Sequence, residues 1–190
     1  PGSWNVRDKH MVQTLEKLLN YHSPNSKAVV WEHNTHIGDA RATDMYRNGM
    51  VNVGQLARQK WGDGDTVLVG FGSYKGSVIA GRSWGDKMKE MEVPAARNNS
   101  WEQLLHNASP ANKIIITDEI RPYSRMSQRF DHRAIGVVYS PELESYGNYV
   151  SSNIPQRYDA FIFLDISRAL HPFKVEQKKQ ITPETYPWGV

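Results

Sequence analysis

From Asp8 to His22 the apolar residues Met11, Leu15, Leu18 and Leu19 recur with a helical period, so this stretch predicts an amphipathic helix. The run NSKAVVWEH is too short for a helix and rich in valine, and it predicts a buried strand over Ala28 to Trp31. In NVGQLARQKWG, the residues Val53, Leu56, Ala57 and Lys60 fall on one side and Gly62 supplies a stop, which predicts a second helix. DTVLVGFGSYKGSVIAG divides into strands over Thr66 to Phe71 and Ser77 to Ala80, with Gly72 and Gly76 marking a loop between them. The polar stretch DKMKEMEVPAARNNS is expected to be irregular, and Ser100 to cap a short helix through Leu105. Further strands are expected over Ile114 to Thr117, Ala134 to Tyr139 and Ala160 to Leu164, with Glu119 to His132 as a charged surface loop.

Several of these strands are apolar at consecutive positions, a pattern that suits sheets covered on both faces. The expected fold is therefore α/β, a mixed sheet covered by helices. A chain of 190 residues fits one domain, and no internal repeat or low-complexity segment divides it. From Lys174 the sequence turns charged and ends in YPWGV, which reads as a surface tail.

Composition narrows the partners. The 23 Lys and Arg stand against 20 Asp and Glu, so the net charge of +3 describes a mixed surface and not the basic stripe that nucleic acid requires. The absence of cysteine excludes disulfides, thiolate metal sites and a cysteine nucleophile. No apolar run approaches the roughly 20 residues that cross a bilayer, so no membrane partner is expected and a cytoplasmic protein fits.

The densest chemistry lies in VVWEHNTHIGDARATDM, at or just beyond the predicted strand Ala28 to Trp31. Glu32, His33, Asn34, His36, Asp39 and Arg41 crowd one place, and burying so many polar groups is costly without mutual hydrogen bonds or a ligand. In open α/β sheets, sites gather at the carboxyl ends of strands. Histidines near neutral pH can take a proton from water and pass one on, provided a carboxylate fixes the tautomer, and Glu32, Asp39 and Asp44 are near in sequence. The plainer reading is two hydrogen-bonded packing imidazoles. A metal pair is the poorer alternative, because the helical zinc motif spaces its histidines four apart with a glutamate between, and no metal or other cofactor is expected. GFGSYKG lacks both the Walker and the dinucleotide spacing, and Phe71 and Lys75 stand where a nucleophile elbow around Ser73 needs glycines. Tyr74 is a candidate pocket-lining residue. Arg7, in NVRDKHM, is a candidate pocket cation or simply the ion-pair partner of Asp8.

Five segments together carry a resemblance: SWNVRDKHMVQTLEKLL, VVWEHNTHIGDARATDM, NVGQLARQ, VLVGFGSYKGSVIAG, and RAIGVVYSPELESYGNYVSSNIPQRYDAFIFLDISRALHP. In this order they resemble the carboxyl-terminal half of the erythromycin esterase-like family, some of whose members are labelled succinoglycan biosynthesis proteins. The resemblance covers residues 1–172, leaving 173–190 as the tail. It implies hydrolysis of a carboxylic ester, in the best-known members a macrolide lactone, through water activated by histidine without metal. The family's HNxH histidines match His33 and His36, which become the expected catalytic residues. Arg7, Glu32, Asn34 and Tyr74 are the expected contacts to a small-molecule ester. The family's principal base lies in an amino-terminal GExxHG segment that this sequence lacks. The chain opens at Pro1 without methionine, and a free-standing half sheet exposes an unpaired edge. The amino-terminal half of the same protein is therefore the expected partner. The alternative is a non-catalytic, ligand-binding relative.

Overall fold

A computed structural model describes residues 2–23, 25–123 and 128–170. In chain order the elements are α1 (Gly2–His22), α2 (Asn34–Ile37), α3 (Val53–Trp61), β1 (Val69–Ala80), β2 (Lys89–Val93), α4 (Trp101–Ala108), β3 (Lys113–Ile116), α5 (Thr117–Ile120), β4 (Phe130–Arg133), α6 (Glu144–Gly147), β5 (Tyr149–Ser152), α7 (Ile154–Arg157) and β6 (Ala160–Ser167). The main sheet has the order β2-β1-β6-β3. Its central pair β1 and β6 is parallel, and both flanking pairs are antiparallel. β4 and β5 form a separate antiparallel ribbon. The fold is thus the expected mixed sheet with helices packed on it.

The Gly62 stop and the Ser100 cap act as anticipated, whereas α1 begins at Gly2, ahead of the expected Asp8. Asn52 caps α3 by accepting from the Gln55 amide, and Gly62 ends it at φ 84°, a left-handed conformation that glycine adopts without steric cost. The Ser100 hydroxyl accepts from the Gln103 amide and starts α4, which runs past Leu105 to Ala108.

Residues paired across β1, β6 and β3 share a face, because side chains alternate along each strand. One face carries Gly70, Phe161 and Ile115 in one row and Gly72, Phe163 and Lys113 in the next. Phe161 and Phe163 are buried there with Trp101 and Leu105 of α4, joined by Tyr158, Ile154 and Leu68, to make the main core. The other face carries Phe71, Ile162 and Ile114 in one row and Ser73 with Leu164 in the next. On it Ile114 is 69% and Ile166 57% exposed. Among the described residues this face is open.

Five expectations are corrected. Ala28 to Trp31 form no strand, and Val29 (92% exposed) and Trp31 (85%) are not buried, because no described strand lies beside them to pair with. The glycines of GFGSYKG do not break β1, which is one strand of 12 residues. They make room: a Cβ at Gly70 would stand 2.6 Å from the Tyr158 ring, and one at Gly72 would stand 2.7 Å from Phe161. The stretch expected to be irregular contains β2, where Met91 and Val93 alternate inward and pair with Val78 and Gly76. The expected surface loop Glu119 to His132 holds the end of α5 and most of β4, and His132 is wholly buried. Ala134 to Tyr139 form an isolated bridge between Val138 and Gly81 in place of a strand. The expected surface tail, 173–190, lies outside the described residues.

Candidate active site

α2 is a single turn, and His33 occupies its N-cap position. The His33 Nδ1 accepts the Thr35 amide at 3.3 Å and lies 2.8 Å from the Thr35 hydroxyl. A ring nitrogen that accepts carries no proton, so the network places the proton on Nε2, which donates to the Ile135 carbonyl at 2.7 Å. Burial holds this imidazole below the usual histidine range, and it is neutral at pH 7.

His36, one turn further, has the opposite tautomer. Asp8 of α1 is wholly buried, and its two carboxylate oxygens lie 3.0 and 2.9 Å from His36 Nδ1. The Nδ1–H donates there, which leaves Nε2 bare to accept from Arg7 Nη2 at 3.0 Å. Trp4 stacks on the His36 ring at 4.3 Å, and the Arg7 guanidinium lies over the same Trp4 at 4.9 Å. Asp8 also accepts the Val53 amide, so the residue that fixes His36 ties α1 to α3. Burial pushes the Glu32 carboxyl above its ordinary range, the nearby Asp8 charge adds to the rise, and His36 and Arg7 oppose it. One Glu32 oxygen is buried without a hydrogen-bond partner.

Asn34, between the histidines, does not point a free amide at solvent. Its Oδ1 accepts the Phe71 amide at 3.1 Å and its Nδ2 donates to the Phe71 carbonyl at 2.5 Å, so it pairs with β1 as a neighbouring strand would. Its own carbonyl accepts from Arg157 Nη2 at 3.0 Å. Beside it opens a cleft of about 420 Å³ lined by His33, Asn34, Phe71, Ser73, Arg133 and Leu164, among others. The floor is the open face of the sheet. Tyr74 alternates to the opposite face, where its ring stacks on His106 at 3.7 Å. Asp39 and Arg41 leave the group altogether: Asp39 binds Arg41 at 2.6 Å and Arg58 at 3.3 Å, beside a second cleft of about 320 Å³. Asp44 is exposed and supports neither imidazole.

The structure therefore brings together Arg7, Glu32 and His36, with His33 and Asn34 on the cleft side of the same turn. Sequence reading passed over Asp8 as the partner of His36. A signal existed: Trp4, Asp8 and Val12 share one stripe of α1 at i, i+4 spacing, and a lone carboxylate in the packed stripe of a helix asks for a buried partner. It also passed over Glu102 and His132, which are wholly buried and bonded at 2.6 Å. Their separation of 30 residues gives no local pattern to read.

Residues 1–167 match the family described as Erythromycin esterase. Three solved structures share the fold. One, a succinoglycan biosynthesis protein, is 14% identical with a TM-score of 0.67, the match covering 86% of this chain and 38% of that one. A protein from Bacillus cereus is 14% identical with a TM-score of 0.70, over 87% of this chain and 39% of that one. An erythromycin esterase mutant in its open conformation is 18% identical with a TM-score of 0.57, over 84% of this chain and 36% of that one. The chain thus spans well under half the length of each. On the strength of a match that runs from α1 through β6, this chain belongs to the erythromycin esterase family.

Proposed function

We propose that this chain forms the histidine-bearing wall of a carboxylic ester hydrolase. The observation that carries the reading is the Asp8–His36–Arg7 series. A buried carboxylate holds the imidazole with a bare Nε2, and a guanidinium stands 3.0 Å from that nitrogen. An ester carbonyl that recruits Arg7 frees the Nε2 lone pair to polarise a water. Arg7 then faces the oxygen on which negative charge develops. His33, held in one tautomer by Ile135 and Thr35, shapes the lip of the cleft through which the ester enters, and a macrolide lactone is one member of the substrate class.

The principal base comes from a part of the family fold that this chain does not span. Support for this lies in the coverage of 36–39% of the three solved relatives and in the open apolar face that continues from the cleft floor. We take the amino-terminal half of the same protein as the occupant of that face.

A second reading has its own support. Both ring nitrogens of His33 and of His36 already have partners, which suits a ligand-binding relative without turnover. Hydrolysis of a p-nitrophenyl ester separates the two, measured with this chain and with the chain joined to its upstream-encoded region. The hydrolase reading expects turnover in the longer polypeptide, reduced about 10²-fold or more by His36→Ala or Asp8→Asn. Rates unchanged by both substitutions overturn it. Ester binding without turnover in either form establishes the second reading.

A further inference from the structure

Behind the histidine turn lies a polar pair for which the proposed chemistry has no use. Glu102 in the first turn of α4 and His132 on β4 are both wholly buried, a costly placement for two ionisable groups. Replacing a buried charged pair by packed apolar side chains is often neutral or stabilising. Core stability alone therefore does not account for it.

The hydrogen bonds assign the tautomer of His132. Glu102 Oε1 lies 2.6 Å from His132 Nδ1 and accepts the Arg133 amide at 3.0 Å, so His132 is protonated on Nδ1 and bare on Nε2. Burial keeps the imidazole below the usual histidine range; the Glu102 charge and hydrogen bond oppose this, and the charges of Arg157 and Arg133 reinforce it. Tyr158 and Phe161 meet the ring nearly edge-on, at 84° and 72°, and fix its plane. The bare Nε2 then faces Asn34 Nδ2 at 3.4 Å, while the Tyr158 hydroxyl, 3.5 Å from Nε2, donates to the Asn34 carbonyl at 3.4 Å. Asn34 has two amide protons. One goes to the Phe71 carbonyl, and the other points at His132. β2 first pairs with β1 at Gly76, so at Phe71 it is the Asn34 side chain that satisfies the strand.

We propose that Glu102 and His132 are positioning residues of the candidate active site. Glu102 selects the tautomer of His132, whose Nε2 holds the Asn34 amide and so seats the turn carrying His33 and His36 on β1. In calling that turn a site, the inference rests on the reading given under Proposed function.

Two substitutions at one position separate the halves of this pair. His132→Asn keeps a short amide that can donate to Glu102 but does not reach Asn34. His132→Gln places an oxygen where Nε2 stands. Amide exchange followed by NMR reads the result at Phe71, whose N–H donates to Asn34, against Phe161 and Phe163 in the core of β6. In His132→Asn the Phe71 amide is expected to exchange about tenfold faster or more, while Phe161 and Phe163 keep their protection. The same variant loses the single Nε2–H tautomer of His33 in ring ¹⁵N spectra. His132→Gln restores both. Should His132→Asn fail to fold, Glu102→Gln, which keeps size and an acceptor oxygen, serves in its place and is expected to mix the tautomers of His132. Exchange at Phe71 that rises only in step with Phe163, or equally in the Asn and Gln variants, overturns the proposal. Exchange that follows the prediction while no form hydrolyses an ester removes the hydrolase reading and leaves the seating role standing.

Discussion

At the scale of single residues, burial lowers the pKa values of two imidazoles, His33 in the candidate site and His132 behind it, and this gives stability a pH dependence of known sign. The folded-state pKa values of His33 and His132 lie below the ordinary value of 6.5. Above pH 6.5 both are neutral whether the chain is folded or unfolded, and they contribute no pH dependence. As pH falls below 6.5, the unfolded chain takes up protons that the folded chain refuses, so unfolding is favoured. Each group can add a slope of at most about 1.4 kcal/mol per pH unit until its folded pKa is reached. Glu32 acts in the opposite sense. Its raised pKa means that the folded state holds a proton which the unfolded state loses above 4.5, so its protonation stabilises the fold as pH falls toward 4.5. Urea unfolding between pH 7 and pH 5 is therefore expected to show stability falling with acid, with a steeper fall in Glu32→Gln and a shallower one in His132→Gln. A profile for His132→Gln parallel to that of the parent would remove His132 as a source.

At the scale of elements, the position of α2 depends on a backbone contact that a single methyl group would break. A Cβ on Gly54 of α3 would stand 2.0 Å from the Ile37 carbonyl oxygen and 2.6 Å from its carbon, atoms that cannot yield without moving the turn. Gly54→Ala is expected to cost about 1–3 kcal/mol or more by overpacking and to displace His36 from Asp8. Denaturant unfolding measures the first effect, and loss of the His36 Nδ1–H tautomer in ¹⁵N spectra reports the second. Unaltered stability would show that α3 slides freely over α2. The same kind of contact explains which elements the sequence made legible. α1, α3, α4 and β6 were readable because period, caps and apolar runs are local signals. β1 was divided wrongly because glycines that clear space for Tyr158 and Phe161 look like loop glycines when the rings, 88 and 89 residues away, are out of view. β2 was missed because Met91 and Val93 alternate with Glu90 and Glu92 over only 5 residues. The histidine turn was legible as a polar cluster, whereas its supports, Asp8 and the Glu102–His132 pair, come from distant elements and leave no spacing to detect.

At the scale of the whole molecule, the side chains that look misplaced share a physical cause. Val29, Trp31, Phe71, Ile114 and Ile166 are apolar and exposed, and Trp31 contacts Phe71 with ring centroids 5.9 Å apart. The register puts Phe71 and Ile114 in line with Ile162 on one face of the sheet, beside the cleft. Large apolar surface of this kind marks an interaction site on a folded domain. If the amino-terminal half of the protein occupies it, one substitution has opposite consequences in two settings. In this chain alone Ile114→Lys and Ile166→Lys place a charge on side chains already in water, and stability should change by no more than about 0.5 kcal/mol. Self-association of the chain in sedimentation velocity should fall with them, since the charges oppose packing of open faces. In the longer polypeptide the same substitutions bury an unpaired ammonium and remove an aliphatic contact, and the cost should rise to about 2–5 kcal/mol. Equal and small effects in both settings would mean that the face stays in water in the complete protein. The base needed for hydrolysis would then have to reach His36 by another route than across this sheet.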